Sequence, residues 1–375
     1  MIPFARMIQY GNVVTPIEEY DRSMQSQYNA VYYLHRNGDL YSYGNNNLGQ
    51  LGVGDAANRT VWTKVLQDVK KYWLGVHGCL AVKTDGSLWY TGSATAFPQL
   101  GSTTYVFINV DSYFSGVGID SAMIRDVMIT DSIKVITTDG RFLYCGSNGS
   151  RQLGTGLTAN VPTLTFDPNF TNIVSMGGAF DNTVLILSNG EAWQAGAYRN
   201  NTGGSTNRNP FAKVLDGVKY CGSAFQSTYY FMLDGTIKVT GYNSYGQLST
   251  GNTTNTPEGS MVQISHTYDP NSDIKIYTSL SNNAGTSPVL YHNGLLWRCG
   301  SNSTGQVGIG SVVSPQTLLV NPLMTNVPSV KYFSADNIRF FVIDNEYKLY
   351  TCGSVSLNGV PNLDTLTYAG VQPWN

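Results

Sequence analysis

The sequence predicts an all-β fold: a seven-bladed β-propeller of four-stranded antiparallel blades, preceded by a short N-terminal arm. Three observations carry this prediction. A tight hairpin turn recurs as Asn37-Gly38, Asp85-Gly86, Asp139-Gly140, Asn189-Gly190, Asp234-Gly235, Asn293-Gly294 and Asp344-Asn345. Asn-Gly and Asp-Gly accept the positive φ such turns require. The copies are evenly spread: 307 residues separate Gly38 from Asn345, about 51 per interval, a period of propellers, solenoids and arrays. Short apolar runs of strand character flank the turns, with almost no helical periodicity.

In chain order, residues 1–16 form the arm and 17–375 the propeller. The arm is apolar for a terminus, with Ile2, Phe4, Met7, Ile8 and Tyr10. Two readings are open: a strand laid along the first blade, or an anchor that docks onto a partner. Each unit then supplies a hairpin, such as Tyr32-Tyr33-Leu34 and Leu40-Tyr41-Ser42-Tyr43-Gly44. One strand precedes the hairpin, as in Val69-Lys70-Lys71-Tyr72-Trp73 and Val330-Lys331-Tyr332-Phe333. Another follows it, as in Val61–Leu66 and Phe211–Leu215. Alternate strand residues point to opposite faces. Leu40, Leu88, Phe142, Ile237, Leu296 and Leu349 therefore form one apolar layer, and Tyr41, Trp89, Trp193, Trp297 and Tyr350 another. Both faces are apolar, as a sheet sandwiched between neighbours requires.

Composition sets the bounds on function. Charged residues are 12% of the chain, about half the usual share, so Asn, Thr, Ser, Gly and Tyr must build the polar surface. The net charge of −2 gives no broad basic field, which argues against nucleic-acid binding. No run of about 18 apolar residues marks a membrane span. The stretch Met1–Met7 lacks a basic segment followed by an apolar core, so no ordinary signal peptide is expected. Five cysteines form no CxxC pair. Cys145, Cys299 and Cys352 each precede the glycine that ends a hairpin, where Thr91, Ala195 and Thr240 stand in other copies. That position wants a small, semi-apolar side chain; disulfides and metal ligation are not expected, which suits a reducing cytoplasm.

The loop after each hairpin has its own signature. It reads Gly44-Asn45-Asn46-Asn47-Leu48-Gly49-Gln50-Leu51-Gly52-Val53-Gly54 in the first unit, and recurs from Gly146 to Gly156, from Gly241 to Leu248 and from Gly300 to Gly310. This resembles the repeat of the regulator of chromosome condensation family, a D-G hairpin followed by G-x-N-x-x-G-Q-L-G-x-G. The resemblance covers residues 17–371 and implies a seven-bladed propeller. The copies are uneven: the second keeps Gln99-Leu100-Gly101, the fourth has Asn201-Thr202-Gly203-Gly204 and the seventh Leu357-Asn358-Gly359. The family's histidine before the first hairpin strand survives as Gly75-Val76-His77, whereas Gly222-Ser223-Ala224-Phe225 lacks it.

No constellation reads as an active site. The glycine pairs at Gly52, Gly154 and Gly308 lack the third glycine of GxGxxG and open no helix. His35, His77, His266 and His292 have no metal-ligand spacing, and no G-x-S-x-G elbow is present. Asp85, Asp139 and Asp234 recur as turn residues, where Asp bonds its own backbone. No catalytic residue, metal or cofactor is assigned.

The expected role is a non-enzymatic structural and protein-interaction platform, with contacts where the repeat fails. Candidate partner-binding residues are Phe4, Met7 and Tyr10 on the arm, Tyr105, Tyr113 and Phe114 in the insert 93–125, and Tyr268 in 266–287. The alternative for the loop aromatics is that they pack onto their own blades. Few charges, abundant Asn, Thr, Gly and Tyr, and free Cys are similar to bacteriophage tail and fibre proteins. The leading expectation is therefore a virion tail or collar appendage for assembly or host-surface attachment, built in the host cytoplasm. Its expected partners are other virion or scaffold proteins, through residues 1–16, and a host-surface protein or glycan. The alternative is a soluble propeller, cytoplasmic or exported, that binds a partner protein, as an exchange-factor-like or inhibitor-like scaffold.

Overall fold

Each recurring turn closes the middle hairpin of its own four-stranded sheet in the computed structural model. The structure describes residues 24–369 except 28, 200–204, 225–226, 257–258, 273, 278–287, 293, 323, 325–326, 337 and 355–362. Blade 1 comprises β1 (Met24–Gln27), β2 (Ala30–Leu34), β3 (Leu40–Gly44) and β4 (Arg59–Leu66). Blade 2 follows as β5 (Val69–Leu74), β6 (Gly78–Lys83), β7 (Leu88–Gly92) and β8 (Thr104–Asn109), with a five-residue helix α1 (Asp111–Ser115) after it. Blade 3 is β9 (Ile124–Ile129), β10 (Ser132–Thr137), β11 (Phe142–Gly146) and β12 (Val161–Phe166). Blade 4 is β13 (Ile173–Gly178), β14 (Asn182–Leu187), β15 (Ala192–Arg199) and β16 (Ser205–Leu215). Blade 5 is β17 (Val218–Ala224), β18 (Ser227–Met232), β19 (Ile237–Gly241) and β20 (Val262–Gln263). Blade 6 is β21 (Ile274–Tyr277), β22 (Val289–His292), β23 (Leu295–Gly300) and β24 (Gln316–Val320). Blade 7 is β25 (Tyr332–Ala335), β26 (Arg339–Ile343), β27 (Leu349–Gly353) and β28 (Leu363–Tyr368). The strand that the sequence places from Val330 starts at Tyr332.

The hairpin turns refine the sequence reading. In blade 1 the Gly38 amide donates to the His35 carbonyl and the His35 amide to the Asp39 carbonyl, both at 2.9 Å. Only the glycine is left-handed, with φ of 87°, the geometry of a turn followed by a glycine bulge. The seventh turn lies two residues later than the sequence suggests. There the Tyr347 amide donates to the Asp344 carbonyl, and Tyr347 itself holds the positive φ. No glycine marks that position.

The hydrophobic core is divided into seven clusters, one between each pair of neighbouring blades. The period-2 pattern explains this division. In β26, Phe340 and Val342 face blade 6, while Phe341 and Ile343 face blade 1. The predicted layer of Leu40, Leu88, Phe142, Ile237, Leu296 and Leu349 is buried, each facing the following blade. The Tyr41, Trp89, Trp193, Trp297 and Tyr350 layer packs, mostly half-buried, against the preceding one.

Blades 1 and 7 are each made of consecutive strands, and among the described residues no shared sheet joins the ends of the ring. Side chains close it instead. Met24, Val31 and Tyr33 pack on Phe341, Ile343 and Leu349, and the Ser26 hydroxyl donates to Asp336 Oδ2 at 2.8 Å. Asp336 also receives Arg339 Nε and Nη2 at 2.9 and 2.6 Å, which leaves this buried carboxylate well satisfied.

Candidate protein-interaction site

The repeat signature builds a stiff face. The Asn46 amide donates to Asn58 Oδ1 at 2.9 Å, its side-chain Oδ1 accepts the Leu51 amide at 2.8 Å, and its Nδ2 donates to the Ala57 carbonyl at 3.2 Å. Asn148, Asn243 and Asn302 occupy the same place in blades 3, 5 and 6. The signature glutamine caps the loop from within: Oε1 of Gln50, Gln152, Gln247 and Gln306 accepts the amide two residues earlier, at 2.8–3.0 Å. The apolar residue after it, Leu51, Leu153, Leu248 or Val307, is fully buried. Each loop then leans on its neighbour. The Gly54 amide donates to the Tyr105 carbonyl of blade 2 at 2.7 Å, and Thr91, Cys299 and Cys352 bond carbonyls of the preceding blade's loop. That contact is why the position before the closing glycine is small.

Blade 4 departs from this plan. Its β15–β16 ladder runs past the closing Gly196, through Ala197↔Asn207 and Tyr198↔Thr206 to Arg199↔Ser205. Among the described residues, every other blade ends this strand at the glycine. The result is a two-stranded projection from the loop face. Its base is fixed by the Ala197 amide, which donates to the Asp181 carbonyl at 2.8 Å, and by Arg208 Nη1, which donates to Gln194 Oε1 at 2.6 Å.

Beside this base lies a polar cluster made by the first turns of blades 2, 3 and 4. His77 and Phe180 come from blades 2 and 4, with ring centroids 5.4 Å apart, edge to face. Asp131, in the blade 3 turn, receives Gln152 Nε2 at 3.1 Å on both carboxylate oxygens. Lys134 is fully buried and donates to Thr130 Oγ1 at 3.3 Å. Burial pushes the Lys134 amine down to about 8, against the opposing pull of the Asp131 and Asp181 carboxylates. Burial also lowers the His77 pKa, with Asp131 opposing. His77 Nδ1 and Asn182 Nδ2 are buried without a hydrogen-bond partner among the described residues. The cluster thus sets the half-buried His77 and Phe180 rings over a buried ion group. Lys134, its one amine, has no exposed surface. Such a surface suits recognition.

The candidate residues of the sequence fall in different places. Phe4, Met7 and Tyr10 lie outside the described residues. Tyr105 is 37% exposed on β8. Tyr113 is half-buried, with its ring on Phe97 at 5.4 Å. Phe114 and Tyr268 are interior, which corrects their reading as partner contacts. The Phe114 ring packs on Phe97 in the blade 2–3 core, and the Tyr268 hydroxyl donates to the Met232 carbonyl at 2.6 Å. Exposing either would cost apolar burial. None of the described candidate residues joins the polar cluster. In the sequence His77 stands in the repeat motif and among four histidines without metal-ligand spacing, and no motif marks Asp131, Lys134, Phe180 or Asp181. One signal was available: Lys134 interrupts Ser132-Ile133-Lys134-Val135-Ile136 where the paired position in blade 2 is Leu80 and in blade 4 Val184.

Burial pushes the Cys145, Cys221 and Cys299 thiols up to about 12, so they are packing groups. No group of three metal-ligating side chains occurs among the described residues, and no helix among them is long and apolar enough to cross a membrane.

No protein-family model matches the chain. Solved structures do resemble it. Prp20p from Saccharomyces cerevisiae, described with its binding to Gsp1p and histones, superposes with a TM-score of 0.72 at 16% identity, over 91% of this chain and 88% of that one. Yeast RCC1 (Prp20) bound to Kap60 gives 0.73 at 15% identity, over 98% and 91%. Human WBSCR16 gives 0.67 at 14% identity, over 90% and 94%. At these identities the likeness is one of architecture, and the chain shares the seven-bladed fold of these RCC1-type propellers.

Proposed function

We propose that the chain is a non-enzymatic protein-binding platform that engages its partner through the loop face of blades 2–4. The observation that carries this is the blade 4 hairpin, a projecting ladder where blades 1, 3, 5 and 6 carry the asparagine-locked loop. A rigid scaffold that presents one irregular element beside aromatic and polar groups is suited to macromolecular recognition. The similar propeller Prp20p binds Gsp1p and histones, which supports a protein as the partner class. Capture from host lysate tests the reading. Wild-type chain is expected to retain a stoichiometric protein that Phe180→Asp loses and Asp85→Lys, on the opposite face, keeps. Equal retention by both variants would place the contact elsewhere.

The finer reading is a virion tail or collar appendage, incorporated through residues 1–16. It rests on the 12% charged content, the Asn-, Thr-, Gly- and Tyr-rich composition and the apolar arm. Particles assembled with residues 1–16 deleted are expected to lack the protein; normal incorporation would refute docking by the arm.

A further inference from the structure

The connector from blade 5 to blade 6 holds two histidines against each other. His266 lies on the connector after β20, and His292 ends β22. Their ring centroids are 6.0 Å apart at 79°. The His266 ring meets the Trp297 indole edge-on at 4.9 Å, and the His292 ring meets Tyr268 at 6.4 Å. Nε2 of each ring is buried without a hydrogen-bond partner among the described residues. A neutral imidazole tolerates this, because it needs only one donor satisfied. An imidazolium has two donors, and stranding one in an aromatic site is costly.

Few bonds hold the connector down. The Ile264 amide donates to the Ile237 carbonyl at 3.1 Å and the Tyr268 amide to the Gly235 carbonyl at 2.9 Å. The Tyr268 hydroxyl adds a third, to the Met232 carbonyl. Ionisable groups around the pair are Tyr268 and Asp269 on the connector and Asp234 at the β18–β19 turn. Lys219 of β17 donates to the Pro270 carbonyl. Lys238 of β19 pairs in register with Gln263, and Lys275 of β21 lies on the strand that pairs with β22. Asp269 favours a charged His292, whereas a charged His292 disfavours a charged His266.

We propose that His266 and His292 form a proton-operated latch: when both rings charge, the 264–270 connector leaves the blade 5–6 seam and uncovers Tyr268, Ile264 and Phe231. Burial lowers the pKa of both rings, so the closed form is fully stabilised above the ordinary histidine value of 6.5 and weakens as pH falls through it. The latch lies on the face opposite the blade 4 projection and does not depend on the partner proposed there.

Hydrogen exchange of the full chain at pH 7.5 and 5.0, corrected for intrinsic rates, tests the latch. Protection of 264–270 is expected to fall about tenfold at the lower pH while β10 and β14 keep theirs. His266→Phe/His292→Phe is expected to abolish the fall. Unchanged protection in the wild type, an equal fall in the double variant, or a fall throughout the ring would overturn the proposal. Should the variant not fold, carbon-detected titration of the wild-type histidines decides. Values below 6.5 that track the connector amides support the latch, and values at or above 6.5, or unresponsive amides, refute it.

Discussion

Gln152 donates its carboxamide to both carboxylate oxygens of Asp131, each at 3.1 Å. The two residues belong to different systems, one to the repeat loop and the other to the polar cluster. In blade 1 the equivalent Gln50 amide reaches only Asn47 Oδ1, at 3.5 Å. Blade 3 thus uses a scaffold residue to hold the carboxylate that stabilises the buried Lys134 ammonium.

Asp131→Asn removes that counter-charge and turns an acceptor into a donor in front of Gln152. The expected loss is about 2–3 kcal/mol of unfolding free energy by urea titration. Loss of the carboxylate also lowers the Lys134 pKa further, which amine-reactive labelling in denaturant-free buffer, or NMR of the Lys134 side chain, will register.

The loop asparagine is structural. Asn148→Ala strands the buried Leu153 amide and the loop carbonyls, and a loss of about 2–3 kcal/mol is expected. Gly149→Ala, one residue away, has open space around the added Cβ and no left-handed φ, so its unfolding midpoint should barely move. Comparable losses in both variants would contradict the keystone role.

The glycines that end the hairpins are required by close approach as well as by φ. A Cβ on Gly44, with φ of 107°, would meet the Asn29 carbonyl oxygen at 1.9 Å. Gly54 has φ of 96° and open space. Gly54→Ala should therefore lose only the conformational term, about 1–2 kcal/mol. Gly44→Ala should lose distinctly more in thermal melts, because backbone must move.

These contrasts show what was legible in the sequence and what was not. Turn glycines and the Asn-Gln loop repeat because backbone geometry demands them, so period, blade count and the apolar layers could be read from one chain. The seventh turn was misplaced because Tyr347 takes the left-handed position without a glycine. The cluster escaped because its members come from three turns some 50 residues apart and share no motif. The loop aromatics misled for a related reason: the insert that looked irregular folds inward, and Phe114 and Phe107 fill the seams beside blade 2.

Acid should weaken the fold before it protonates many carboxylates. Burial lowers the folded-state pKa of His77, His266 and His292 below 6.5. The unfolded chain therefore binds protons first, and stability is complete above that value and falls as pH drops through it. The urea midpoint is expected to decrease from pH 7.5 to pH 5.0. The triple variant His77→Gln/His266→Phe/His292→Phe should flatten that slope, and an unchanged slope would assign it to other groups.

Site-specific photo-crosslinking tests the interaction face most directly. A photoreactive amino acid replaces Phe180 in one sample and Asp85, on the opposite face, in another, and both are irradiated in the native host. A discrete crosslinked protein at position 180 and none at position 85 is the predicted result. Crosslinks confined to position 85, or none at position 180 while the chain co-purifies with a partner, would contradict a binding face on blades 2–4.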